Sequence, residues 1–300
     1  MSVARTVLVA GSANLDFVIR TPHVPAPGET VLGHDFATFP GGKGANQAVA
    51  CARAGGADTR MLLALGADPF AMPIENSLRS AGVALDLVRC TARPTGTAFI
   101  CLADDGENAI TVAPGANSSL AAEHLPELAG IAALLLQLET PLPAVEAYAR
   151  AARAAGIRVV LNAAPARALP ASLLALVDVL VVNEGELATL AGSTGGLDAQ
   201  LARLPVPCVV VTLGARGCLA LADGDRLEQR AFPVELVDST GAGDTFCGSL
   251  VAALVRGESL AGALREASAA SALACSRLGA QSAIPTRAEV QALLAREVPA

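Results

Sequence analysis

The chain has 300 residues, of which 53% are hydrophobic and 16% are charged, and its formal net charge is −7. This length allows one large domain or two smaller ones, with enough apolar side chains for a large core. The negative charge and the absence of tryptophan argue against a nucleic-acid-binding protein, because neither a basic face nor base-stacking platforms are expected.

The seven cysteines are scattered and contain no Cys-x-x-Cys pair, which is typical of reduced thiols in the cytoplasm. The first apolar run meets Asn14 and Asp16 too early for a signal peptide. The longest apolar run, near 131–136, is far shorter than the roughly 18 residues that a membrane-spanning helix needs. We therefore expect a cytoplasmic protein with no membrane segment.

The chain opens with a predicted buried strand, the apolar and β-branched run Thr6–Ala10. Extended segments without intervening helices then occur at 14–20, 29–39, 96–103 and 108–112. We expect the segments 14–40 and 95–113 to form a small β-sheet that acts as a lid over the main domain. Two ordinary surface hairpins would give the same sequence pattern.

Elsewhere strands and helices alternate, which predicts a doubly wound α/β fold with a mostly parallel sheet and helices on both faces. The predicted strands cover 60–65, 86–89, 132–138, 158–161, 179–182 and 208–212, with a hairpin at 218–222 and 226–230. The predicted helices cover 45–54, 69–81, 141–155, a segment carrying Glu186, 244–256, 260–276 and 287–296. Residues 1–300 are expected to form a single domain.

The loop Gly41-Gly-Lys-Gly44 contains the only lysine of the chain, while arginine supplies every other basic side chain apart from histidine. Lysine has survived here either by chance or because a compact ammonium group in a glycine loop is not replaceable by a forked guanidinium. We interpret Lys43 as a residue that binds an oxygen of a ligand.

Polar side chains recur where predicted strands end. The residues are Asn14, Asp16, Glu139, Asn183 and Thr212. An Asn or Asp after a strand is commonly a turn former, but strand C-terminal ends share one edge of a doubly wound sheet, where ligands bind. We therefore predict one crevice. Its amides and carboxylates, with Asn46, suit a ligand rich in hydroxyl groups.

The stretch Asp238-Ser-Thr-Gly-Ala-Gly-Asp244 runs directly into a long apolar helix. Because Gly241, Ala242 and Gly243 carry almost no side chain, their backbone N–H groups and the helix N-terminus can surround an anion such as phosphate. Asp244 has the wrong charge for a phosphate cradle. It is either an ordinary helix N-cap or a base that deprotonates a hydroxyl group beside this anion hole.

The loop after Thr212 is small and open, with Gly214 and Gly217, and suits the phosphates of a nucleotide. The P-loop sequence G-x-x-x-x-G-K-[ST] and the dinucleotide signature G-x-G-x-x-G are both absent. The three histidines have no metal-binding or catalytic-triad spacing and are interpreted as structural or surface residues.

The two glycine motifs, Gly41-Gly-Lys-Gly-Ala-Asn46-Gln-Ala48 and Asp238-Ser-Thr-Gly-Ala-Gly-Asp244-Thr-Phe-Cys-Gly248, match both signatures of the PfkB carbohydrate kinase family. The chain resembles this family over nearly its whole length, and most closely its ribose-phosphorylating members. The segments that carry the narrower resemblance are Gly11-Ser-Ala-Asn14-Leu-Asp16, Pro27-Gly-Glu-Thr30, Gly106-Glu-Asn108, Gly115-Ala-Asn117, Leu136-Gln-Leu-Glu139, Asn162-Ala-Ala-Pro-Ala-Arg167 and Gly279-Ala-Gln281.

The resemblance implies ATP-dependent phosphorylation of D-ribose at the 5-hydroxyl group, which gives D-ribose 5-phosphate. Asp244 would be the catalytic base, and Gly241–Gly243 the anion hole. The implied ribose ligands are Asn14, Asp16, Gly42, Lys43, Asn46 and Glu139. The implied ATP ligands are Asn183, Thr212, Gly214, Gly217, Gly241, Ala242 and Gly243.

The resemblance also implies two kinds of metal ion. Glu186 lies three residues after Asn183 in an N-x-x-E element that is tied to Mg²⁺ and phosphate. An activating monovalent cation, usually K⁺, would be bound by Asp238, Thr240 and backbone carbonyl groups near Ala274, Arg277 and Gly279.

Two positions depart from the family pattern. Ala283, with Ser282 beside it, stands where a serine cation ligand is common, so that ligand is lost or shifted. Ser268 stands where a histidine or asparagine near the adenine is common, which leaves the adenine contact open.

The strand edges and apolar residues of the lid, such as Phe36 and Phe39, predict a homodimer formed through the lid. The resemblance leaves other functions open. One is a kinase for 2-deoxyribose, another pentose or a nucleoside, and another is a non-catalytic sugar sensor built on the same fold. The expected partners are D-ribose and ATP, without nucleic acid or a membrane.

Overall fold

The computed structural model describes residues 5–192 and 195–296. Its strands are β1 Thr6–Ala10, β2 Asn14–Thr21, β3 Asp35–Gly41, β4 Thr59–Gly66, β5 Ala84–Cys90, β6 Gly96–Ala103, β7 Asn108–Ala113, β8 Ile131–Leu136, β9 Arg158–Asn162, β10 Val179–Asn183, β11 Cys208–Thr212, β12 Cys218–Ala222 and β13 Asp225–Gln229. Its α-helices are α1 Lys43–Arg53, α2 Ala71–Ser80, α3 Leu142–Ala154, α4 Ala171–Leu174, α5 Glu184–Ala191, α6 Leu197–Leu201, α7 Ala242–Val255, α8 Leu260–Cys275 and α9 Arg287–Arg296. Short 3₁₀ helices span Gly115–Ser119, Ala122–His124 and Gly214–Arg216.

The main sheet has nine strands in the order β13-β12-β11-β10-β9-β8-β1-β4-β5. Its pairs are parallel from β11 to β5, while β12 and β13 add an antiparallel edge. Strands β4 and β5 follow β1 on one side of it, whereas β8 and the later strands extend the sheet on its other side. This reversal creates a switch point between β1 and β8, and such points are where doubly wound sheets bind ligands.

Successive residues of β1 enter different cores, because side chains alternate across a strand. Val7 and Val9 pack with α1, α2, α7, α8 and α9, whereas Leu8 and Ala10 pack with helices α3 to α6 on the opposite face. A strand buried on both faces has to be apolar throughout, as Thr6–Ala10 nearly is. The predicted doubly wound α/β class with helices on both faces is therefore confirmed.

The four-stranded sheet, in the order β3-β2-β6-β7, is built from both segments that were predicted to form a small sheet. A cluster of phenylalanines lies on one of its faces, where Phe17 stacks on Phe99 with ring centroids 5.3 Å apart. Phe70, which precedes α2, meets Phe17 edge-on, also at 5.3 Å. This contact joins the small sheet to the main body, and closure of the sheet as a lid stays a prediction.

The boundaries differ from the sequence predictions in a few places. Residues 29–34 were predicted to be extended, but β3 begins only at Asp35. The carboxylate of Glu29 accepts hydrogen bonds from the Ala26 N–H and the His23 ring, and these contacts keep the segment in a loop. The short helices α4 and α6 were missed, because four or five residues are too few to display a helical period.

All seven cysteines are free thiols. Within 5–192 and 195–296, we find no helix that combines the length and the apolar character required to span a membrane.

Helices α1 and α7 lie unusually close together at Gly248. A β-carbon at this position would lie 2.5 Å from the Gln47 carbonyl oxygen, 2.6 Å from the Ala50 β-carbon and 2.8 Å from the Cys51 backbone nitrogen. Both helices carry residues of the candidate site described below. Their spacing therefore depends on the absence of a side chain at this residue.

Gly248→Ala is expected to destabilise the fold by about 1–3 kcal/mol, the usual cost of overpacking, and to lower activity by separating the two helices. Thermal unfolding and steady-state kinetics measure both effects. Gly262→Ala in α8 is the matched control, since the nearest atoms to its added methyl group would be side-chain atoms at 3.3 Å or more. Equal stability of the two variants would contradict the packing argument.

Candidate active site

The switch point brings together the polar residues that follow β1, β8 and the first glycine motif. The Glu139 carboxylate accepts hydrogen bonds from the Ser12 hydroxyl at 2.5 Å and from the Lys43 backbone N–H at 3.1 Å. Asn14 accepts a hydrogen bond from the Asn117 side chain at 2.8 Å. Gly42, with φ 88°, lies against the backbone of this turn, where a β-carbon would approach the Asn14 nitrogen to 2.8 Å.

Carboxylates concentrate at this edge of the sheet. Burial raises the pKa of Asp16 to about 7, and repulsion from Glu139 and Asp244 adds to the effect. Burial alone would lower the pKa of Lys43, but attraction to Asp244, Glu139 and Glu186 raises it overall. The side chain of the only lysine in the chain thus lies within electrostatic reach of several acids and stays charged.

Asp244 is not the N-cap of α7. The helix begins at Ala242, and its N-cap is Gly241 in the left-handed conformation with φ 72°. Asp244, the third helical residue, is 8% exposed. Its two carboxylate oxygens accept hydrogen bonds from the side chains of Asn46 at 3.0 Å and Gln47 at 2.9 Å. The cap alternative is therefore wrong, and a buried carboxylate faces the glycine turn.

A cavity of about 140 Å³ joins the start of α7 to the ends of β9, β10 and β11. Its lining is Lys43, Asn162, Ala164, Val181, Val182, Asn183, Glu186, Thr212, Gly241, Gly243, Asp244 and Cys247. Among the described residues, the predicted nucleotide ligands Gly214, Gly217 and Ala242 are not part of this lining. Of the predicted sugar ligands, Lys43 belongs to the lining, whereas Asn14, Asp16, Gly42, Asn46 and Glu139 lie outside it.

The N-x-x-E element forms a capping box at the start of α5. The Asn183 side chain accepts from the Glu186 backbone N–H, and the Glu186 carboxylate accepts from the Asn183 N–H, each at 2.8 Å. Burial raises the pKa of Glu186, and repulsion from Asp244 raises it further. The hydrogen bond from the Asn183 N–H and attraction to Lys43 act in the opposite direction, but the pKa stays raised overall. The capping box therefore fixes one acid of the cavity wall.

The residues predicted to bind a monovalent cation lie where the loop before α7 meets the end of α8. The Asp238 carboxylate accepts from the backbone N–H groups of Thr240 and Gly279, each at 2.9 Å. Burial opposes ionisation of Asp238, but hydrogen bonds from Thr240 and Gly279 lower its pKa overall. The carboxylate therefore supplies a full negative charge to this loop.

The three remaining predicted cation positions, Ala274, Arg277 and Ala283, do not share one kind of contact. The Ala274 carbonyl accepts from the Arg277 N–H at 3.2 Å. Ala283 is completely buried and has no side-chain oxygen. The neighbouring Ser282 hydroxyl donates to the Leu278 carbonyl at 3.0 Å.

Ser268 occupies the position that the family pattern places near the adenine. It is buried, and its hydroxyl group lies 3.6 Å from the Cys218 thiol.

Sequence reasoning missed a set of buried amides around Asp244, although each one lies in a segment that carried the family resemblance. They are Gln47, Gln137, Asn162 and Gln281. Asn46, a predicted sugar ligand, also belongs here, because its oxygen accepts from Gln281 at 3.1 Å while its nitrogen donates to Asp244. A polar residue within the apolar run of α1 was the available signal for Gln47.

A buried acid beside a glycine-rich helix start, at the switch point of a doubly wound sheet, is an arrangement suited to phosphoryl transfer onto a small hydroxylated molecule. Residues 4–287 match the model of the pfkB family of carbohydrate kinases. The chain belongs to this family, and it is a kinase.

Individual proteins of the family indicate which kind of carbohydrate kinase the chain resembles. The chain is 38% identical to the ribokinase of Haemophilus influenzae over 297 residues, which is 95% of this chain and 97% of that protein. It is also 38% identical to the ribokinase of Bacillus subtilis, with 97% and 99% covered. The crystal structure of Thermotoga maritima ribokinase matches with a TM-score of 0.90 at 34% identity, covering 97% and 99% of the two chains. Arabidopsis thaliana ribokinase complexed with ribose and ATP matches with a TM-score of 0.89 at 33% identity and the same coverage.

Proposed function

We propose that the protein phosphorylates D-ribose at the 5-hydroxyl group with ATP and releases D-ribose 5-phosphate and ADP. One observation carries this proposal: Asp244 is buried beside the Gly241 turn in a cavity that also contains Lys43, Asn183 and Glu186. Similarity to a ribokinase complexed with ribose and ATP supports the choice of both substrates.

In this mechanism Asp244 accepts the proton of the sugar hydroxyl group while the oxygen attacks the γ-phosphorus of ATP. A new oxygen–phosphorus bond forms, the bond to ADP breaks, and ADP leaves with its electron pair. The backbone N–H groups of Gly241, Ala242 and Gly243, at the positive end of α7, stabilise the transferring oxygens. Most of the rate enhancement in such a reaction comes from positioning and charge stabilisation.

The sugar is proposed to lie at the switch point, above the cavity. Its ligands would be Asn14, Asp16, Gly42, Lys43, Asn46 and Glu139. Asp16 and Glu139 supply acceptors for sugar hydroxyl groups, and the charged Lys43 supplies a donor. ATP would occupy the cavity and the adjacent loop, with Asn183, Thr212, Gly214 and Gly217 as its ligands. The register pairs Asn183 with Thr212 across β10 and β11, which supports a common nucleotide role.

Mg²⁺ is proposed to accompany the nucleotide near Glu186. Within the described ranges, no three histidine, cysteine or acidic side chains cluster as a metal site. This fits a cation that is bound mainly by phosphate oxygens and water, with one carboxylate nearby. When bound, Mg²⁺ would neutralise phosphate charge, and Glu186 would orient its water shell.

K⁺ is the proposed activating cation beside the loop that begins at Asp238. The ionised carboxylate and the carbonyl groups around Ala274, Arg277 and Gly279 are oxygen donors of the kind such a cation prefers. Ala283 removes one side-chain ligand, so backbone oxygens would have to complete the shell. The cation would supply positive charge behind the anion hole and hold the loop in shape.

Asp238→Ala is expected to lower kcat about tenfold or more and to abolish any difference between K⁺ and Na⁺, because it removes the loop anchor and the charge that binds the cation. Initial rates in K⁺ and Na⁺ buffers measure the effect. Ser239→Ala, an exposed neighbour, is the control. A variant that keeps wild-type K⁺ activation would contradict the proposed site.

A homodimer through the small sheet is also proposed. Every residue of the edge strand β7 is exposed, and Ile110 and Val112 on it are 56% and 43% exposed. An exposed apolar edge strand is commonly covered by a partner. A second copy of the sheet offers both the apolar surface and the strand edge that would cover it.

Ile110→Asp is expected to convert the dimer into a monomer, since a buried unpaired carboxylate is strongly unfavourable at an interface. Light scattering after size exclusion measures the mass. Met72→Asp changes an equally exposed apolar residue outside the small sheet and should leave the mass unchanged. A wild-type monomer at high protein concentration would contradict this proposal.

The proposed reaction is tested by coupled ADP release over a panel of ribose, 2-deoxyribose, other pentoses and nucleosides, with a sugar-free control. The highest kcat/KM is expected for ribose. A higher value for 2-deoxyribose or a nucleoside would favour the alternative substrate. Sugar binding without ADP release from any compound would favour a non-catalytic sensor.

We also propose a cytoplasmic location for the protein, which its free thiols fit.

A further inference from the structure

Both carboxylate oxygens of Asp244 are held by neighbouring amides of one helix. Asn46 donates to Oδ2 at 3.0 Å, and Gln47 donates to Oδ1 at 2.9 Å. Asn46 is already a proposed sugar ligand. Gln47 is wholly buried, so a direct role in substrate binding does not account for it.

The Gln47 amide is itself fixed on every side. Its Nε2 also donates to Asn162 Oδ1 at 2.9 Å, and its Oε1 accepts from Gln137 Nε2 at 2.6 Å. Asn162 in turn donates to the Val181 carbonyl at 3.1 Å. Each donor and acceptor of Gln47 therefore has a partner, and its orientation is set by Gln137 after β8, Asn162 at the end of β9 and Asp244 in α7.

Gln137 makes the arrangement specific. Its Oε1 is buried and has no hydrogen-bond partner among the described residues. A β-carbon at Gly11 would collide with that same oxygen. An unpartnered buried amide oxygen is unfavourable, and an apolar residue at position 137 would avoid that cost. The hydrogen bond from the Gln137 nitrogen to Gln47 explains why a glutamine is present instead.

We propose that Gln47 is a positioning residue for the base Asp244, with Gln137 and Asn162 holding its amide in place. The inference rests on the proposed function, in which Asp244 takes the hydroxyl proton. Hydrogen bonds to both oxygens compensate for the burial of the carboxylate. A fixed amide also leaves the carboxylate one orientation toward the sugar, and small displacements of reacting groups reduce rates severely.

A core role for Gln47 would make the same contacts, so the test has to separate the two roles. Gln47→Met keeps the volume and removes the donor. It is expected to lower kcat about 10- to 100-fold and to change KM for ribose and ATP less than about threefold. Lys43, Glu186 and Asp16 also act electrostatically on this region and are unchanged in the variant.

The decisive measurement is a double-mutant cycle. On an Asp244→Ala background, Gln47→Met should change the residual kcat by less than about twofold, because there is no base left to position. An undiminished 10- to 100-fold loss on that background would overturn the proposal, as would a rise in KM with an unchanged kcat. Ser249→Ala is the matched control and should keep wild-type kcat, because it removes a buried hydroxyl group of α7 that has no hydrogen-bond partner within the described part of the chain.

Thermal melts establish that each variant is folded. If Gln47→Met does not fold, Gln137→Leu removes the support of Gln47 and carries the same cycle, with a smaller expected loss. Wild-type ADP release on the sugar panel is measured first and tests the proposed function by itself. If the enzyme turns over but the effects of Gln47→Met and Asp244→Ala are additive, only the positioning role is rejected. If no sugar is turned over, both the positioning role and the proposed function are rejected.

Discussion

Asp244→Asn is expected to lower kcat about 100- to 10,000-fold, the usual contribution of a general base, while sugar and ATP binding stay close to wild type. The asparagine side chain has the same shape but cannot take a proton from the sugar hydroxyl group. The proposed anion hole consists of backbone N–H groups, which the substitution leaves unchanged. Initial-rate kinetics and calorimetric titration of ribose measure the two effects separately.

A modest loss of stability should accompany this substitution. In the wild type both carboxylate oxygens accept hydrogen bonds from Asn46 and Gln47. Asparagine offers only one accepting oxygen, so one of these donors would face an NH₂ group. Asp198→Asn, which changes an exposed acid in the first turn of α6, is the control. A kcat within tenfold of wild type for Asp244→Asn would contradict the assignment of the base.

The fold was largely predictable from the sequence because its strands and helices have clear local patterns. Cys208–Thr212 consists of a cysteine and four β-branched residues between turn signals, and it forms β11 with the predicted ends. The start of α7 was less predictable. Whether Asp244 caps the helix depends on the backbone conformation of Gly241, and a sequence pattern allows either outcome.

The supporting shell of the site could not be predicted from the sequence. Gln47 meets Gln137 and Asp244 across separations of 90 and 197 residues, so no local spacing relates the three. The charge environment is a similar case. Asp16 was predicted to bind the sugar, but its raised pKa was not predicted, because that pKa depends on burial and on Glu139 and Asp244, which the fold brings close to it.

Asp16→Asn is expected to raise KM for ribose about 100-fold or more, because an ionised carboxylate accepts hydroxyl hydrogen bonds that are worth about 1.5–3 kcal/mol each. Burial raises the pKa of Asp16 to about 7 in the free protein. Wild-type KM should therefore rise as the pH falls below about 7, where the carboxyl group takes up a proton before sugar can bind. The variant should lack this dependence. Ribose saturation curves between about pH 5.5 and 8 measure it.

The same substitution is expected to stabilise the protein at high pH. A raised pKa means that the folded state binds the proton more tightly than the unfolded state, so stability is lost as the pH rises from 3.8 through about 7. Asparagine cannot ionise, and the variant should exceed wild type at pH 8 by at most about 4 kcal/mol. The difference should shrink towards pH 4. Thermal melts over this range measure the change.

Affinity and stability should thus move in opposite directions at pH 8, which is typical of a residue selected for binding at a cost in folding. Asp35→Asn, at an exposed position of the same small sheet, is the control and should alter neither quantity. If Asp16→Asn lost both ribose affinity and stability at pH 8, Asp16 would be a packing residue whose removal disturbs β2. If it lost neither, the sugar would have to bind elsewhere along the crevice.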